Sequence, residues 1–120
     1  MTAGDFEFSG FLPGLSSDGA THGHLDLKLP HGEIFRTETT SAGIYRLAAG
    51  QRDPQSPHEE DEVYYVLSGS AALEFGEDRI DVGPSTWAFV PALMEHRFVD
   101  IAADLTVLVV FSPPHPPRPA

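Results

Sequence analysis

The chain contains no cysteine among its 120 residues. Disulfide bonds and thiolate chemistry are therefore excluded, and any bound metal ion must be held by nitrogen and oxygen ligands. Basic residues are also scarce, because seven Lys and Arg stand against eighteen Asp and Glu, giving a formal net charge of -11. Nucleic acids and anionic membranes require cationic surfaces, so neither is an expected partner.

Long apolar runs are missing as well. No stretch approaches the roughly 18 apolar residues that a membrane span requires. The N-terminus from Met1 to Glu7 has neither the basic start nor the apolar run of a signal peptide. These absences lead us to expect a cytoplasmic protein. The helical period of apolar residues is also absent, which argues against helices.

What the chain does contain is a series of short apolar segments separated by turn residues. With 41% hydrophobic residues it can bury one core, and it is too short for two. Close spacing of such segments is typical of an antiparallel barrel or sandwich. We predict an all-β single domain with a lead-in over residues 1–21, a barrel over 22–112 and a proline-rich tail over 113–120. The predicted strands are residues 22–29, 33–39, 41–49, 63–67, 71–75, 79–82, 86–90 and 105–111.

The candidate site lies where a polar turn containing two prolines leads into an apolar strand. His58 and Glu62 are four residues apart, so their side chains share one face of an extended chain. His96 follows a second apolar strand, and in a closed sheet two distant strands can turn their inward faces to one point. Two His and one Glu make the facial triad of non-haem Fe(II) sites, which is also seen with zinc. The alternative is a hydrogen-bonded His58–Glu62 pair without metal; the independent approach of His96 favours metal.

These segments resemble the two short motifs of the cupin superfamily. The first motif runs Gly, five residues, His-x-His, three or four residues, Glu, six residues, Gly, and it is matched in register by Gly50, Ser56, His58, Glu62 and Gly69. The second runs Gly, five residues, Pro-x-Gly, two residues, His, three residues, Asn, and its later positions are taken by Pro91, Leu93, His96 and Asp100. The resemblance implies a small jelly-roll β-barrel that holds a divalent metal ion through His58, Glu62 and His96.

The chain departs from these motifs at several positions. Ser56 stands where the first motif has its first His, which leaves at most three strong protein ligands. Gln55 is the nearest side chain that could take the vacant position. Leu93 replaces the turn glycine and Asp100 the asparagine, while Gly83 lies two residues upstream of its expected place. We therefore expect a turn of different shape before His96.

The side chains around the ligands supply candidates for a substrate pocket. Tyr64, Val66 and Phe98 share parity with the ligands and should line it, together with Ser56. Tyr64 is a candidate catalytic group that could donate a proton or hydrogen bond to a bound molecule; the alternative is an aromatic of the barrel wall. Arg46 is a candidate anchor for an anionic substrate, with a surface position as the alternative.

We predict no ligand role for the charged neighbours of the ligands or for the tail. Glu59 and Asp61 should face solvent, whereas Glu60 shares parity with His58 and Glu62 and could face the site. His115 lies in the proline-rich tail, so we do not count it as a ligand.

Two functions remain open from the sequence. The first is a metal-dependent enzyme of oxygenase, isomerase or cyclase type, acting on a small organic metabolite with Fe, Mn, Ni, Zn or Cu as cofactor. The second is a non-catalytic metabolite-binding module, such as a sensor or accessory protein, which the Ser56 replacement favours. Tyr65, Trp87 and Phe89 have the opposite parity and should form an outer apolar strip, which indicates a homodimer.

Overall fold

The computed structural model describes residues 14–15, 21–22, 31–55 and 57–115. Within these ranges the chain is all-β, and its eight strands pair antiparallel. They are β1 Gly14–Leu15, β2 Thr21–His22, β3 Gly32–Arg36, β4 Ser41–Leu47, β5 Asp61–Phe75, β6 Asp78–Val82, β7 Trp87–Val90 and β8 His96–Ser112. The prediction of an all-β antiparallel fold is confirmed. None of the described segments is a helix long and apolar enough to cross a membrane.

The strands are divided between a small sheet and a large one. β1 pairs with β2, and the other six form a sheet with the order β3-β4-β8-β5-β6, in which β7 also pairs with β5. Among the described strands this path is open, because β3 and β6 are not paired with each other. β5 pairs with β7 over residues 62–65 and with β6 over residues 71–75. We call the face of the sheet that carries Tyr45, Tyr64 and Phe98 its inner face.

Two long strands dominate the sheet. β5 has 15 residues and β8 has 17, and they pair with each other over nearly their full lengths. β8 lies between β4 and β5, which explains the apolar segment 105–111 as the last part of a central strand. The sequence predicted only this part, because the first half of β8 alternates with polar residues.

Residues 63–67 and 71–75 form one strand, although the sequence predicts two. The register against β8 shifts between Val66 and Ala72, so the strand bends through bulges without ending. Gly69, within this segment, has a φ of +96°, and a Cβ there would lie 2.2 Å from the carbonyl oxygen of Asp104. Gly69 therefore marks a close approach of β5 to β8 rather than a turn.

The inner face of the sheet holds the main core. Its buried side chains include Tyr45, Tyr64, Phe98 and Phe111 among aliphatic residues. A smaller cluster on the other side contains Ile34, Ala42 and Ile44. The buried polar side chains of the described residues include Asp53, Gln55, Glu60, Glu62 and His96. Burial of such groups is costly unless they are paired, so their arrangement identifies a specific site.

Some predicted boundaries fall outside the described residues. Of the predicted strand 22–29 only His22 is described, as the end of β2. Most of the lead-in over residues 1–21, and the tail beyond residue 115, are likewise outside the described ranges. The division into lead-in, barrel and tail stays a prediction.

Candidate metal site

Three predicted ligands converge on the inner face of the sheet. Glu62 is the second residue of β5, His58 lies in the turn before it, and His96 begins β8. Because Glu62 pairs with Val90 of β7, the short connection from β7 to β8 returns the chain to the same place. One ligand atom from each of the three side chains lies within 4.8 Å of the other two.

The two imidazoles point their Nε2 atoms at one carboxylate oxygen. The distance to Glu62 Oε1 is 2.9 Å from His58 Nε2 and 2.6 Å from His96 Nε2. Despite these short distances, Glu62 Oε1 and both ring nitrogens of His58 are solvent-inaccessible and make no hydrogen bond of acceptable geometry. An unsatisfied buried polar atom costs about 1–3 kcal/mol. Lone pairs gathered in this way, two from nitrogen and one from oxygen, fit a divalent metal ion.

The charges of Glu62 and His96 depend on each other. Burial raises the pKa of Glu62, but the adjacent His58 and His96 outweigh burial, so this pKa lies below its ordinary value. Burial lowers the pKa of His96, and Glu62 outweighs it, so this pKa lies above its ordinary value. Without a metal ion, the carboxylate and an imidazolium therefore stabilise each other.

The orientation of the His96 ring is fixed by a hydrogen bond on the side away from Glu62. Its Nδ1 lies 2.9 Å from the backbone oxygen of Met94. A carbonyl oxygen can only accept, so Nδ1 carries the proton and donates it. This leaves Nε2, which faces Glu62, as the ligand atom of His96.

A chain of buried hydrogen bonds runs from His96 into the core. Tyr64 Oη lies 3.1 Å from His96 Nε2 and donates to Gln55 Oε1 at 3.0 Å. Gln55 Nε2 donates in turn to Asp53 Oδ2 at 2.7 Å. Asp53 also accepts hydrogen bonds from the Tyr45 hydroxyl and from the Phe98 backbone N–H. Gln55, predicted as an additional ligand, thus contacts Tyr64 and Asp53 and orients the tyrosine.

The Tyr64 hydroxyl remains protonated at neutral pH. Its complete burial and the negative charge of Glu62 raise its pKa well above the ordinary value. Its proton is directed to Gln55, and its oxygen is left facing His96. Tyr64 is therefore a hydrogen-bonding group of this site and is poorly suited to release a proton.

The other predicted pocket residues are placed as follows. Val66 and Phe98 are buried in the main core, with the Phe98 ring 5.0 Å from the Tyr64 ring. Arg46 donates to Thr106 Oγ1 of β8 at 2.9 Å, and it alternates with Tyr45, which faces the core. Its side chain therefore lies on the opposite face from the ligands. Ser56 lies outside the described residues.

Two residues beside the ligands were not selected from the sequence. Glu60 is 5% exposed, and its Oε1 lies 2.8 Å from His115 Nδ1 and 3.5 Å from His58 Nδ1. The His115 ring stacks on Phe111 and meets the His58 ring edge-on. The parity that Glu60 shares with Glu62 was its only sequence signal. His115 gave none, because it follows the last strand in a proline-rich segment.

Comparison with known proteins supports these observations. A family model described as the cupin domain matches residues 43–111, a range that includes all three converging ligands. An uncharacterized protein of Streptomyces coelicolor is 46% identical over 82 residues, covering 68% of this chain and 78% of that protein. Two solved structures are similar. TT1209 from Thermus thermophilus has 31% identity and a TM-score of 0.60, covering 69% of this chain and 81% of its own. KdgF from Halomonas sp. has 23% identity and a TM-score of 0.64, covering 69% of this chain and 76% of its own.

Proposed function

Because this chain belongs to the cupin domain family, whose jelly-roll fold it shares, we propose that it is a metal-dependent enzyme acting on a small organic molecule. His58, Glu62 and His96 would hold the ion. The reaction class that we propose is that of an oxygenase, isomerase or cyclase. Fe, Mn, Ni, Zn and Cu all accept this mixture of imidazole and carboxylate ligands.

One observation carries the proposal. The buried Glu62 Oε1 and both nitrogens of His58 make no hydrogen bond of acceptable geometry, although they lie beside each other and beside His96. A structural hydrogen-bonded pair would satisfy at least one of these atoms, because leaving them unsatisfied is destabilising. A divalent ion held by Glu62 and by the Nε2 atoms of His58 and His96 would satisfy Glu62 Oε1 and His58 Nε2 with one bound group. His58 Nδ1, on the other side of the ring, lies 3.5 Å from Glu60 Oε1.

The chain's own residues prepare the site for a small molecule. A bound divalent ion supplies Lewis acidity, and three protein ligands leave room in its coordination sphere. Phe111 packs edge-on against the His58 ring, and Phe98 packs against Tyr64, so apolar rings restrict water around the ligands. Gln55 fixes the direction of the Tyr64 hydroxyl, which can then orient a molecule bound beside His96.

The enzymatic proposal is tested by metal-dependent product formation. Metal-loaded parent, metal-stripped parent and a metal-treated His96→Ala variant are incubated with mixtures of small metabolites and followed by mass spectrometry. We expect a product only with the loaded parent. His31→Ala, which removes a histidine outside the ligand set, serves as the matched control and should retain turnover. Equal turnover by the stripped protein or by His96→Ala would contradict the proposal.

A metabolite-binding module without catalysis is the second candidate. The replacement of the motif's first His by Ser56 favours it, because a weaker metal site suits binding better than redox chemistry. In this case a ligand from the same mixtures would raise the melting temperature, and no product would form. A product appearing at a rate that depends on metal would decide against it.

We further propose that the protein is a homodimer joined through an outer apolar strip. On the outer face of β5 and β7, Val63 pairs with Phe89 and Tyr65 pairs with Trp87. Trp87 is 68% exposed and Phe89 is 52% exposed. A second copy of the strip, related by a two-fold axis, would cover these exposed apolar side chains.

The dimer is tested by sedimentation of the parent and of Trp87→Ser. The parent should sediment at twice the chain mass and the variant as a monomer. Trp87 is the only tryptophan, so its fluorescence should shift to longer wavelength as the parent is diluted. Ile80→Ser on β6, which removes an exposed apolar residue outside the strip, should leave the dimer intact. A parent that sediments as a monomer would contradict this proposal.

A further inference from the structure

We propose that Glu60 orients the imidazole of His58 for metal binding, and that His115, from the segment after the last strand, holds Glu60 in position. The inference rests on the proposed metal site and deepens it. It assigns roles to two residues that contact the ligand set without belonging to it. Both are positioning residues, since they act through His58.

His115 is anchored through its backbone. Its backbone N–H donates to Ser41 Oγ at 3.0 Å, and its backbone oxygen accepts from the guanidinium of Arg36. Arg36 is itself paired with Glu33 at 2.9 Å. Side chains of β3 and β4 thus fix the backbone of His115 on both sides. The segment after β8 is therefore held against the sheet at the edge of the site.

The anchored backbone places the His115 side chain between Phe111 and Glu60. The ring stacks on Phe111 with centroids 4.6 Å apart, and its Nδ1 lies 2.8 Å from Glu60 Oε1. Since a carboxylate oxygen accepts, Nδ1 carries the proton. His115 is only 7% exposed and Glu60 only 5%. A carboxylate this deeply buried needs a donor, and His115 supplies one.

Glu60 also lies beside the imidazole of His58. The same Oε1 that accepts from His115 lies 3.5 Å from His58 Nδ1, which is buried and has no hydrogen bond of acceptable geometry. A small rotation of the ring closes this distance, and contacts of this kind tighten when a site is filled. Glu60 would then hold Nδ1–H of His58 and leave Nε2, 2.9 Å from Glu62, as the ligand atom.

The two imidazole ligands are therefore supported in parallel ways. For His96 the acceptor on the far side of the ring is the backbone oxygen of Met94, 2.9 Å from Nδ1. For His58 the corresponding acceptor is Glu60. A backbone oxygen is fixed by the fold, whereas the Glu60 side chain is free to turn unless something holds it. The hydrogen bond from His115 holds the Glu60 side chain in place.

Metal affinity tests the proposal. Co(II) is titrated into the metal-stripped parent, Glu60→Gln, His115→Ala and the double variant, with its visible absorption bands as readout. We expect Glu60→Gln and His115→Ala each to weaken binding and to alter the bands, Glu60→Gln by about 10–100-fold. The double variant should be no weaker than Glu60→Gln alone, since both residues act through one contact. Glu59→Gln, which removes the same charge from the exposed neighbouring residue, is the matched control and should bind as the parent does.

A metal-free measurement separates this inference from the proposed function. Nitrogen-15 spectra of the imidazole rings identify which ring nitrogen of His58 carries a proton. In the metal-stripped parent Nδ1 should be protonated, and in Glu60→Gln the proton should move to Nε2, which still faces Glu62. Failure of the parent to bind any metal would overturn the proposed function, and the His58 spectra would still decide the role of Glu60.

Two results would overturn the inference. One is an unprotonated Nδ1 of His58 in the parent. The other is unchanged Co(II) affinity and bands in both Glu60→Gln and His115→Ala, even if both variants unfold more easily, because the Glu60–His115 contact would then only fasten the chain after β8. Rescue of His115→Ala by His115→Gln, whose amide can donate to Glu60, is expected and tests the donor role directly.

Discussion

The backbone N–H of Leu93 donates a hydrogen bond of 2.8 Å to the backbone oxygen of His58. This bond joins the turn before β8 to the turn before β5, and so it ties the segment that carries His96 to the segment that carries His58 and Glu62. The position of Leu93 is fixed by a backbone φ of +68°, in the left-handed region. A leucine pays a steric penalty in this region that glycine does not.

Leu93→Gly should therefore stabilise the protein relative to Leu93→Ala. The side chain is 69% exposed, so its removal sacrifices little buried area. Both variants remove the leucine side chain, but only glycine removes the steric strain of the left-handed backbone. We expect the free energy of unfolding in urea to be about 1 kcal/mol higher for Leu93→Gly than for Leu93→Ala. Equal or lower stability of the glycine variant would show that the turn is unstrained.

Gly69→Ala should be among the most damaging small substitutions in the chain. A Cβ at this position would lie 2.2 Å from Asp104 O and 2.7 Å from Leu105 Cα, and backbone atoms cannot move aside as a side chain can. We expect a loss of about 3 kcal/mol in the free energy of unfolding. Gly76→Ala is the control: its φ of +59° is also left-handed, but no atom lies within 4 Å of the added Cβ. It should cost about 1 kcal/mol, and a similar cost at both positions would refute the close approach.

Asp53→Asn should weaken both the fold and the site. Asp53 is 1% exposed and accepts from the Tyr45 hydroxyl, Gln55 Nε2 and the Phe98 N–H. An amide has one accepting oxygen, so at least one donor loses its partner, at a cost of about 2 kcal/mol. Gln55 and Tyr64 would also be less well oriented beside His96, so metal affinity should fall. Asp81→Asn, on the exposed face of β6, should change neither quantity.

The stability of the metal-free protein should depend on pH through Glu62 and His96. The pKa of Glu62 is lowered by folding, so its contribution is present above about pH 4.5 and is lost as the pH falls through the folded pKa. The pKa of His96 is raised by folding, so its contribution is present below about pH 6.5 and is lost as the pH rises through the folded pKa. The metal-free parent should therefore exceed His96→Gln in stability more at pH 6 than at pH 9. Denaturation of both proteins at both pH values checks this, and a constant difference would contradict it.

The convergence of His58, Glu62 and His96 could be predicted from residue spacing and motif register. Their binding of a metal ion stays a prediction. An interval of four residues keeps His58 and Glu62 on one face, and the second motif places His96 after a strand. Tyr64, Val66 and Phe98, which the same alternation places on the side of the ligands, are buried in the core. Their lining of a substrate pocket stays a prediction. Where the chain is extended and half-buried, periodicity and motif register therefore predict which side chains share a face.

Sequence patterns were insufficient where the structure depends on contacts between distant residues. Glu60 and His115 are 55 positions apart, and their pairing depends on how the segment after β8 is anchored, for which no local pattern exists. In the sequence Gly69 resembles a turn residue, because no neighbouring residue indicates that the Asp104 backbone lies against it. Leu93, at the position of the motif's turn glycine, has a φ of +68°, in the left-handed region. Ser85, where the motif has its other glycine, has a φ of +73°, in the same region. The expectation of a turn of different shape before His96 stays a prediction.

Elemental analysis of untagged protein, beside His58→Ala and His96→Ala, tests the central claim most directly. We expect close to one equivalent of a divalent metal per chain in the parent and its loss from both variants, with His31→Ala retaining it. A parent that is metal-free, and that stays so after incubation with Fe(II), Mn(II), Ni(II), Zn(II) and Cu(II), would contradict the proposed metal site.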